Sequence, residues 1–321
     1  MLVRVKPRKL ILALVLLSLG LSVQAADDKD NKDKKSKVDG VAVLWREPAD
    51  IASLNLLLGP GGEAMKPDIT KVTFISEEKG GWSKKYRVQD GSGRTWVAKI
   101  GVEAQPETAV SRLLWAAGYY TDITYLVPSV RIEGKGTFEN VRFEARDPNV
   151  KRLDEWKWNE NPFVGTPQLQ GLKTLMVLIG NWDIKDNNNR IVRVRNADTG
   201  ETELRYIVSD LGATLGKTGW IMGRSRNEPR DFVQAKFIDT VKNNRVDFHY
   251  SGKRKDVFDD ITIDQARWIG QLLSRLSDEQ LKDAFRAANY SPEQVEMLAG
   301  TVRARIDQLV ALPQIQAGAV R

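Results

Sequence analysis

A polar loop in the second half of the chain carries the side chains best suited to chemistry. Asp183, Lys185 and Asn188 are spaced D-x-K-x-x-N, and Asp210 follows after a predicted strand pair, in Asp210-Leu-Gly. One loop can therefore bring a carboxylate and an amide to a second carboxylate beyond the next hairpin. Phosphoryl transfer needs such groups: one carboxylate orients an acceptor hydroxyl, while the amide and the other carboxylate hold Mg²⁺ on the phosphates.

Two other interpretations compete for this loop, a calcium site and a turn without function. A calcium loop counted from Asp183 requires an acid at the third position, Gly at the sixth and an acid at the twelfth. Those positions hold Lys185, Asn188 and Val194, so the calcium pattern fails. Asn and Asp also favour turns without any function, so a plain Asn-rich turn stays open on the loop alone.

A second polar group is predicted upstream, on a set of strands. Gly80-Gly81 lies between two strand-like segments, and the next strand, Thr95–Ile100, contains Lys99. A Gly turn lets backbone N–H groups approach phosphates, and a lysine can reach them as a point charge. The same features also fit an ordinary hairpin and a solvated edge lysine. Glu107, in the first turn of a predicted helix, either faces Lys99 or complements the helix dipole.

Composition excludes several other chemistries. The chain of 321 residues has no cysteine, which rules out disulfides, thiol catalysis and Cys-based zinc sites. His249 is the single histidine, so a multi-His metal site is impossible. It lies between Phe248 and Tyr250, and we expect it to pack rather than to catalyse.

The N-terminus predicts export. Four basic residues precede an apolar run of 14 residues from 10 to 23, and Val23-Gln24-Ala25 is a small-x-small cleavage site. A membrane-spanning helix needs about 20 residues, so we predict a signal peptide over 1–25, with a retained anchor as the alternative. A mature chain would be periplasmic or secreted and would touch a membrane only if the segment stayed uncleaved.

The predicted signal peptide also explains part of the basic charge. Its removal would lower the net charge from +7 to +3. The basic pI therefore argues little for nucleic-acid binding, and we expect no nucleic-acid partner.

The remaining chain divides by composition. Residues 26–40 are charged and low in complexity and predict a disordered linker, and 41–68 form an N-terminal extension. Strand-like segments and one helix predict a small β-rich lobe over 69–145. A polar hinge with Trp156 and Trp158 spans 146–165, and a mainly helical large lobe with the polar loop spans 166–321. The hinge tryptophans could stack on a base or pin the loop.

The order of these features resembles the protein-kinase-like superfamily. The stretch Leu178-Ile-Gly-Asn-Trp-Asp183 is similar to its atypical branches, in which the catalytic loop reads I-G-N-x-D. These branches include HipA-like kinases and secretory-pathway kinases that phosphorylate exported proteins. The resemblance covers roughly residues 70–215 and is most specific in the D-x-K-x-x-N loop paired with Asp210-Leu-Gly. It implies an α+β, two-lobed protein-kinase-like fold with a small antiparallel β lobe with one helix and a mainly helical large lobe.

The same resemblance implies roles for individual residues. Asp183 would position the acceptor hydroxyl, and Lys185 would contact the γ-phosphate or stabilise its charge. Asn188 and Asp210 would be metal ligands. The nucleotide-phosphate contacts that it implies are Lys99, its partner Glu107, Gly80 and Gly81. Glu107 follows Lys99 by eight residues, closer than is usual in the superfamily, and no A-P-E-like segment follows Asp210.

The function implied is an exported kinase-like phosphotransferase that uses ATP with Mg²⁺ or Mn²⁺. Its acceptor is unknown, an exported protein being one candidate. Bulk ATP is scarce outside the cytoplasm, so an exported pseudokinase that acts as a binding or scaffold module is the first alternative. An envelope or carbohydrate-binding module is the second alternative and rests on the nine Trp residues.

Overall fold

The computed structural model describes residues 39–219 and 223–314. The predicted signal peptide and almost all of the charged linker lie outside these residues. The described residues from Gly40 onward form one compact unit. No helix among the described residues is long and apolar enough to span a membrane.

The fold is α+β, as predicted, with a β-rich part followed by a mainly helical part. The strands are β1 (Val41–Val43), β2 (Thr73–Glu78), β3 (Lys84–Gln89), β4 (Thr95–Ile100), β5 (Thr124–Ile132), β6 (Gly136–Ala145), β7 (Lys151–Arg152), β8 (Asn189–Arg195), β9 (Thr202–Val208), β10 (Ile238–Lys242) and β11 (Arg245–Phe248). The helices are α1 (Ala104–Ala116), α2 (Pro167–Leu178), α3 (Pro229–Gln234), α4 (Ile263–Ser274), α5 (Asp278–Arg286) and α6 (Pro292–Val310).

The small lobe is an antiparallel five-stranded sheet in the order β2-β3-β4-β6-β5, with α1 between β4 and β5 in the chain. Successive side chains of each strand point to opposite faces of the sheet. Tyr86, Trp96 and Phe143 are buried in an apolar cluster on one face. The other face carries the predicted lysine, Lys99, which is also buried.

The helical part contains the larger core, and its helix starts follow the sequence signals. Thr166 caps α2 by accepting a hydrogen bond from the Leu169 amide at 3.2 Å. Ser277 and Ser291 form capping boxes at α5 and α6, where the sequence has the pattern S-x-x-Q. After α2 the chain reverses at Gly180, where φ is +66°, a conformation that glycine adopts without strain. That reversal delivers the polar loop.

The β8–β9 hairpin connects the polar loop to Asp210. It belongs to a four-stranded sheet in the order β1-β9-β8-β7. The N-terminal extension contributes β1, which pairs in parallel with β9, and buries Leu44, Ile51 and Leu56 in the larger core. The extension is therefore an integral part of the fold.

Candidate active site

Lys99 and Glu107 form a buried ion pair. Their side chains are 3% and 1% exposed, and the Lys99 ammonium contacts Glu107 Oε1. Lys99 lies near the end of β4, and α1 begins five residues after it at Ala104. A tight connection therefore brings a glutamate only eight positions away back over the strand, and the short sequence spacing does not prevent the pair.

Two residues that the sequence analysis missed complete this pair. Arg142 lies opposite Lys99 in the β4–β6 register, with Nη1 2.8 Å from Glu107 Oε2. Glu103 Oε2 lies 2.8 Å from the Lys99 ammonium. Glu103 is four residues after Lys99, a spacing that could have suggested it. Arg142 could be found only by knowing the strand register.

The electrostatics keep the cations of this cluster charged. Burial disfavours the charged form of Lys99, but Glu107, Asp210 and Glu103 outweigh it and raise its pKa. Burial raises the pKa of Glu107 to about 7, against the influence of Arg142 and Lys99. The raised pKa of Lys99 favours a charged ion pair, whereas the raised pKa of Glu107 favours a protonated, neutral glutamate. With cations at both carboxylate oxygens, the contacts are those of an ionised glutamate.

Asn188 and Asp210 are brought together by the backbone at the open end of the β8–β9 hairpin. The Asn188 carbonyl oxygen accepts hydrogen bonds from the amides of Ser209 at 2.8 Å and Asp210 at 3.2 Å. The Asn188 side-chain amide donates to the carbonyl of Asp183, which leaves its Oδ1 as the possible metal-binding atom. Asp210 Oδ1 lies 3.9 Å from the Lys99 ammonium. Burial alone would raise the pKa of Asp210, but Lys99 and hydrogen bonds lower it.

Asp183 lies on the same loop and has cations at both oxygens. Lys185 Nζ is 3.2 Å from Oδ2, and Lys253 Nζ is 2.6 Å from Oδ1. Lys253 lies on a turn that is distant in the sequence. Its backbone amide donates a hydrogen bond to the Trp182 carbonyl at 2.8 Å. Nothing local in the sequence indicates that contact. Asn181 accepts from the Asp183 amide at 3.0 Å and so orients the loop.

The carboxylates around Lys99 fit a divalent cation. Oxygens of Glu103, Glu107 and Asp210 all lie within 4.8 Å of one another. Oxygen donors of this kind, with the Asn188 amide nearby, suit Mg²⁺ or Mn²⁺. The donor set therefore fits the metal that the resemblance implies, and adds Glu103 and Glu107 to the residues close to it.

The Gly80-Gly81 turn lies at the edge of this cluster. It joins β2 to β3, and both glycines have positive φ, +109° and +76°. Ser83 at the end of the turn donates to Glu103 at 2.7 Å. The buried ion pairs of Lys99, Glu103, Glu107 and Arg142 are called the Lys99 group below. The predicted phosphate-covering turn is joined to this group through Glu103.

Other sequence expectations had mixed outcomes. Trp156 and Trp158 are buried in the larger core, so they pin the hinge and offer no surface for a base. The expectation that His249 packs was wrong: its side chain is 50% exposed and lies 3.0 Å from Asp239, because the buried positions beside it belong to Phe248 and Tyr250. The basic loop after Gly212, which the sequence analysis did not single out, reaches the site, since Arg226 pairs with Glu103.

The sequence matches no protein-family model and no curated protein. Among solved structures, the chain is similar to the proinflammatory kinase CtkA of Helicobacter pylori, with 11% identity and a TM-score of 0.43, covering 75% of this chain and 93% of that one. It is also similar to the Rio2 kinase of Chaetomium thermophilum, in an ADP/Mg²⁺-phosphoaspartate complex, with 13% identity, a TM-score of 0.30 and coverages of 76% and 74%. A third is the Golgi casein kinase with Mn/ADP bound, with 10% identity, a TM-score of 0.39 and coverages of 77% and 72%. At these scores, function has to be argued from the side chains of this chain.

Proposed function

We propose that the chain is a metal-dependent, kinase-like phosphotransferase that moves the γ-phosphate of ATP to an acceptor hydroxyl. The observation that carries the proposal is the meeting of two separate parts of the chain: the buried Lys99–Glu107 pair lies beside Asp210, with the Lys99 ammonium 3.9 Å from Asp210 Oδ1. A structural ion pair would not need a third, half-exposed carboxylate held beside it. Phosphoryl transfer does need a cation and a metal-binding carboxylate at one point.

The donor side of the reaction is assigned to Lys99, Asn188 and Asp210. Lys99 binds phosphate oxygens, and Glu107 with Arg142 holds its ammonium in place. Asn188 and Asp210 would hold Mg²⁺ or Mn²⁺, with Glu103 and Glu107 close by. When bound, the metal supplies positive charge to the phosphates during transfer.

The acceptor side is assigned to the loop that carries Asp183. Its carboxylate would orient the acceptor hydroxyl and accept its proton, and Lys185 would stabilise charge on the transferred group. In the structure, Lys253 occupies one oxygen of Asp183 at 2.6 Å. An incoming hydroxyl must therefore share or displace that cation.

The occupied Asp183 also favours the second candidate, a pseudokinase that binds nucleotide without transferring phosphate. Lys185 and Lys253 together cover both carboxylate oxygens. A binding module of this kind would keep the Lys99 group and lack turnover. An envelope or carbohydrate-binding module has less support, because Trp82 is the one largely exposed tryptophan among the described residues.

Export is part of the proposal and rests on the N-terminal sequence. A periplasmic or secreted enzyme would act on an acceptor outside the cytoplasm, an exported protein being one candidate. It would need scavenged nucleotide or another phosphate donor.

The test is thermal unfolding of the purified full chain with and without ATP and Mg²⁺, beside Asp210→Ala. Ligand at 100 times its dissociation constant stabilises the folded state by about 2.7 kcal/mol. We expect a metal-dependent rise in melting temperature that Asp210→Ala abolishes. Phosphate transfer to mixed exported proteins, lost in Asp183→Asn, would separate the enzyme from the pseudokinase. No rise at millimolar ATP in the folded protein would contradict both nucleotide-binding candidates.

A further inference from the structure

The cavity next to the Lys99 group is lined almost entirely by charged or polar side chains. It has a volume of about 160 Å³ and lies between the small sheet and the β8–β9 hairpin. Most small-molecule pockets are larger, about 300–1,000 Å³, and are lined mainly by apolar and aromatic side chains. Here Val97 is the single apolar residue in the lining, and the rest are charged or polar. A purine ring would find little apolar surface in this cavity.

The charge follows from the alternation of the sheet. On β2, β3, β4 and β6, the side chains on one face of the sheet pack into the apolar cluster with Trp96 and Phe143. The cavity side receives a series of ionic side chains instead: Glu78, Lys85, Lys99, Arg142 and Glu144. Every strand of the set supplies at least one, so the polarity belongs to the whole face.

Three arginines in the cavity lining, Arg142, Arg146 and Arg152, are paired with acidic side chains. Glu144 on β6 is buried, lies 2.5 Å from Arg142 Nη2 and 3.5 Å from Arg152 Nη1, and also contacts Arg146. Arg152 in turn lies 2.6 Å from Asp122. Arg146 and Arg152 also line a neighbouring, more apolar cavity. A ligand that extended from one cavity into the other would have to pass these two paired arginines, and breaking such ion pairs is costly.

The side chains that line the cavity carry more positive than negative charges, so the cavity favours an anionic ligand. The cavity lining holds six Lys or Arg residues and four Asp or Glu residues. Lys85 has no hydrogen bond or ion pair within the described part of the chain, and it is only partly exposed. Gly81 leaves space for the Lys85 ammonium, because a Cβ at position 81 would lie only 2.9 Å from it. An unpaired cation beside Lys99 suits a second phosphate group.

We propose that this cleft recognises its phosphate donor by the phosphate chain and the metal, without burying a base. A base-free polyanion, such as inorganic tripolyphosphate with Mg²⁺, then serves as well as ATP. This inference rests on the proposed function and specifies its donor. Such a donor would also suit an exported enzyme.

The transfer balances without any further reactant. The bond between the terminal phosphorus of tripolyphosphate and its bridging oxygen breaks, and that phosphorus bonds to the acceptor oxygen. Pyrophosphate leaves with the bridging oxygen, and the acceptor proton passes to Asp183. The metal stays bound, and nothing is oxidised or reduced.

The experiment is calorimetric binding to the full chain, with Mg²⁺, of tripolyphosphate, ATP, GTP and adenosine. We expect the dissociation constants of the first three to agree within about threefold, a difference well under 1.4 kcal/mol. Adenosine should neither bind nor compete. Lys85→Met should weaken the three phosphate ligands together. Lys84→Met is the matched control, because Lys84 lies over the Tyr86 ring on the apolar face, 4.9 Å from its centroid, and should change none of them.

The outcomes separate the two proposals. ATP binding at least about tenfold tighter than tripolyphosphate, or a tenfold preference for ATP over GTP, would overturn the base-free donor and leave the kinase-like function standing. An unchanged affinity in Lys85→Met would also count against it. No metal-dependent binding of any phosphate ligand would remove the proposed function itself.

Discussion

The carbonyl oxygen of Asn188 accepts a hydrogen bond from the amide of Asp210 at 3.2 Å. Twenty-two positions separate the two residues in the chain, and the β8–β9 hairpin spans that interval and returns the backbone to its starting point. The two predicted metal ligands are thus held side by side by main-chain geometry. Their side chains remain available for a ligand while the backbone supplies the rigidity.

Replacing Asn188 should damage the site more than replacing its neighbour. Asn188→Ala removes the amide that donates to the Asp183 carbonyl, together with a predicted metal ligand. We expect Mg²⁺ affinity, measured by titration in the presence of ATP, to fall at least about tenfold. Asn187→Ala is the control for the loop, since Asn187 borders the same cavity but is exposed, and its side chain makes no hydrogen bond within the described part of the chain. Equal effects from the two variants would argue that the loop, and not the Asn188 side chain, matters.

The buried ion pair should contribute strongly to stability. Lys99→Met leaves Glu107 with Arg142 alone and should lower the free energy of unfolding by about 3–5 kcal/mol, because a buried charge loses a partner. Lys85→Met on the adjacent strand removes an unpaired lysine and should cost within about 0.5 kcal/mol. Urea unfolding of both variants gives the comparison. A small loss in Lys99→Met would mean that Arg142 alone satisfies Glu107.

Glu144 should make the protein sensitive to acid. Burial would raise its pKa, but Arg142, Arg146 and Arg152 outweigh burial and lower it to about 2. A carboxyl with a lowered folded-state pKa stabilises the fold above its unfolded value, 4.5, and loses that contribution as the pH falls towards 2.

The corresponding measurement is stability against pH for the wild type and Glu144→Gln. We expect the variant to be less stable at neutral pH, by about 3 kcal/mol. Its stability should also fall less between pH 4.5 and 2 than that of the wild type. Parallel curves over that interval would show that Glu144 is not the group that titrates.

The glycine turn should separate backbone strain from ligand contact. Gly80→Ala and Gly81→Ala both place a side chain at positive φ, at a cost of roughly 1–2 kcal/mol each. Only at Gly81 would the new Cβ press on Lys85, at 2.9 Å, whereas nothing lies within 4 Å of a Cβ at Gly80. Binding of Mg²⁺–tripolyphosphate, followed by calorimetry, should therefore weaken more in Gly81→Ala. Equal weakening would exclude displacement of Lys85 as the cause.

The N-terminal extension should behave as core. Leu44 is 2% exposed, and Leu44→Ala should cost about 2–5 kcal/mol in the free energy of unfolding. Val41, three residues earlier on β1, is 54% exposed, so Val41→Ala should stay within about 0.5 kcal/mol. Denaturant unfolding of the two variants tests this. A tolerant Leu44 would mean that the extension can detach without cost.

Local signals in the sequence determined the elements and most of the named residues. Alternating strands, helix caps and Asx-rich turns depend on neighbours a few positions apart, so a local pattern predicted β4, and short local patterns also mark the starts of α5 and α6. The same signals placed Lys99 on a strand and Asp183 after a helix. Their roles in phosphate transfer remain predictions.

The tertiary structure alone decided which charges surround those residues. Arg142 reaches Glu107 through the register of β4 with β6, Arg226 reaches Glu103 across 123 positions, and Lys253 reaches Asp183 from a distant turn. Contacts of this kind depend on strand register and on how the loops pack, and neither has a local pattern. The sequence therefore determined the candidate reactive groups, and the packing determined the charged cavity beside them.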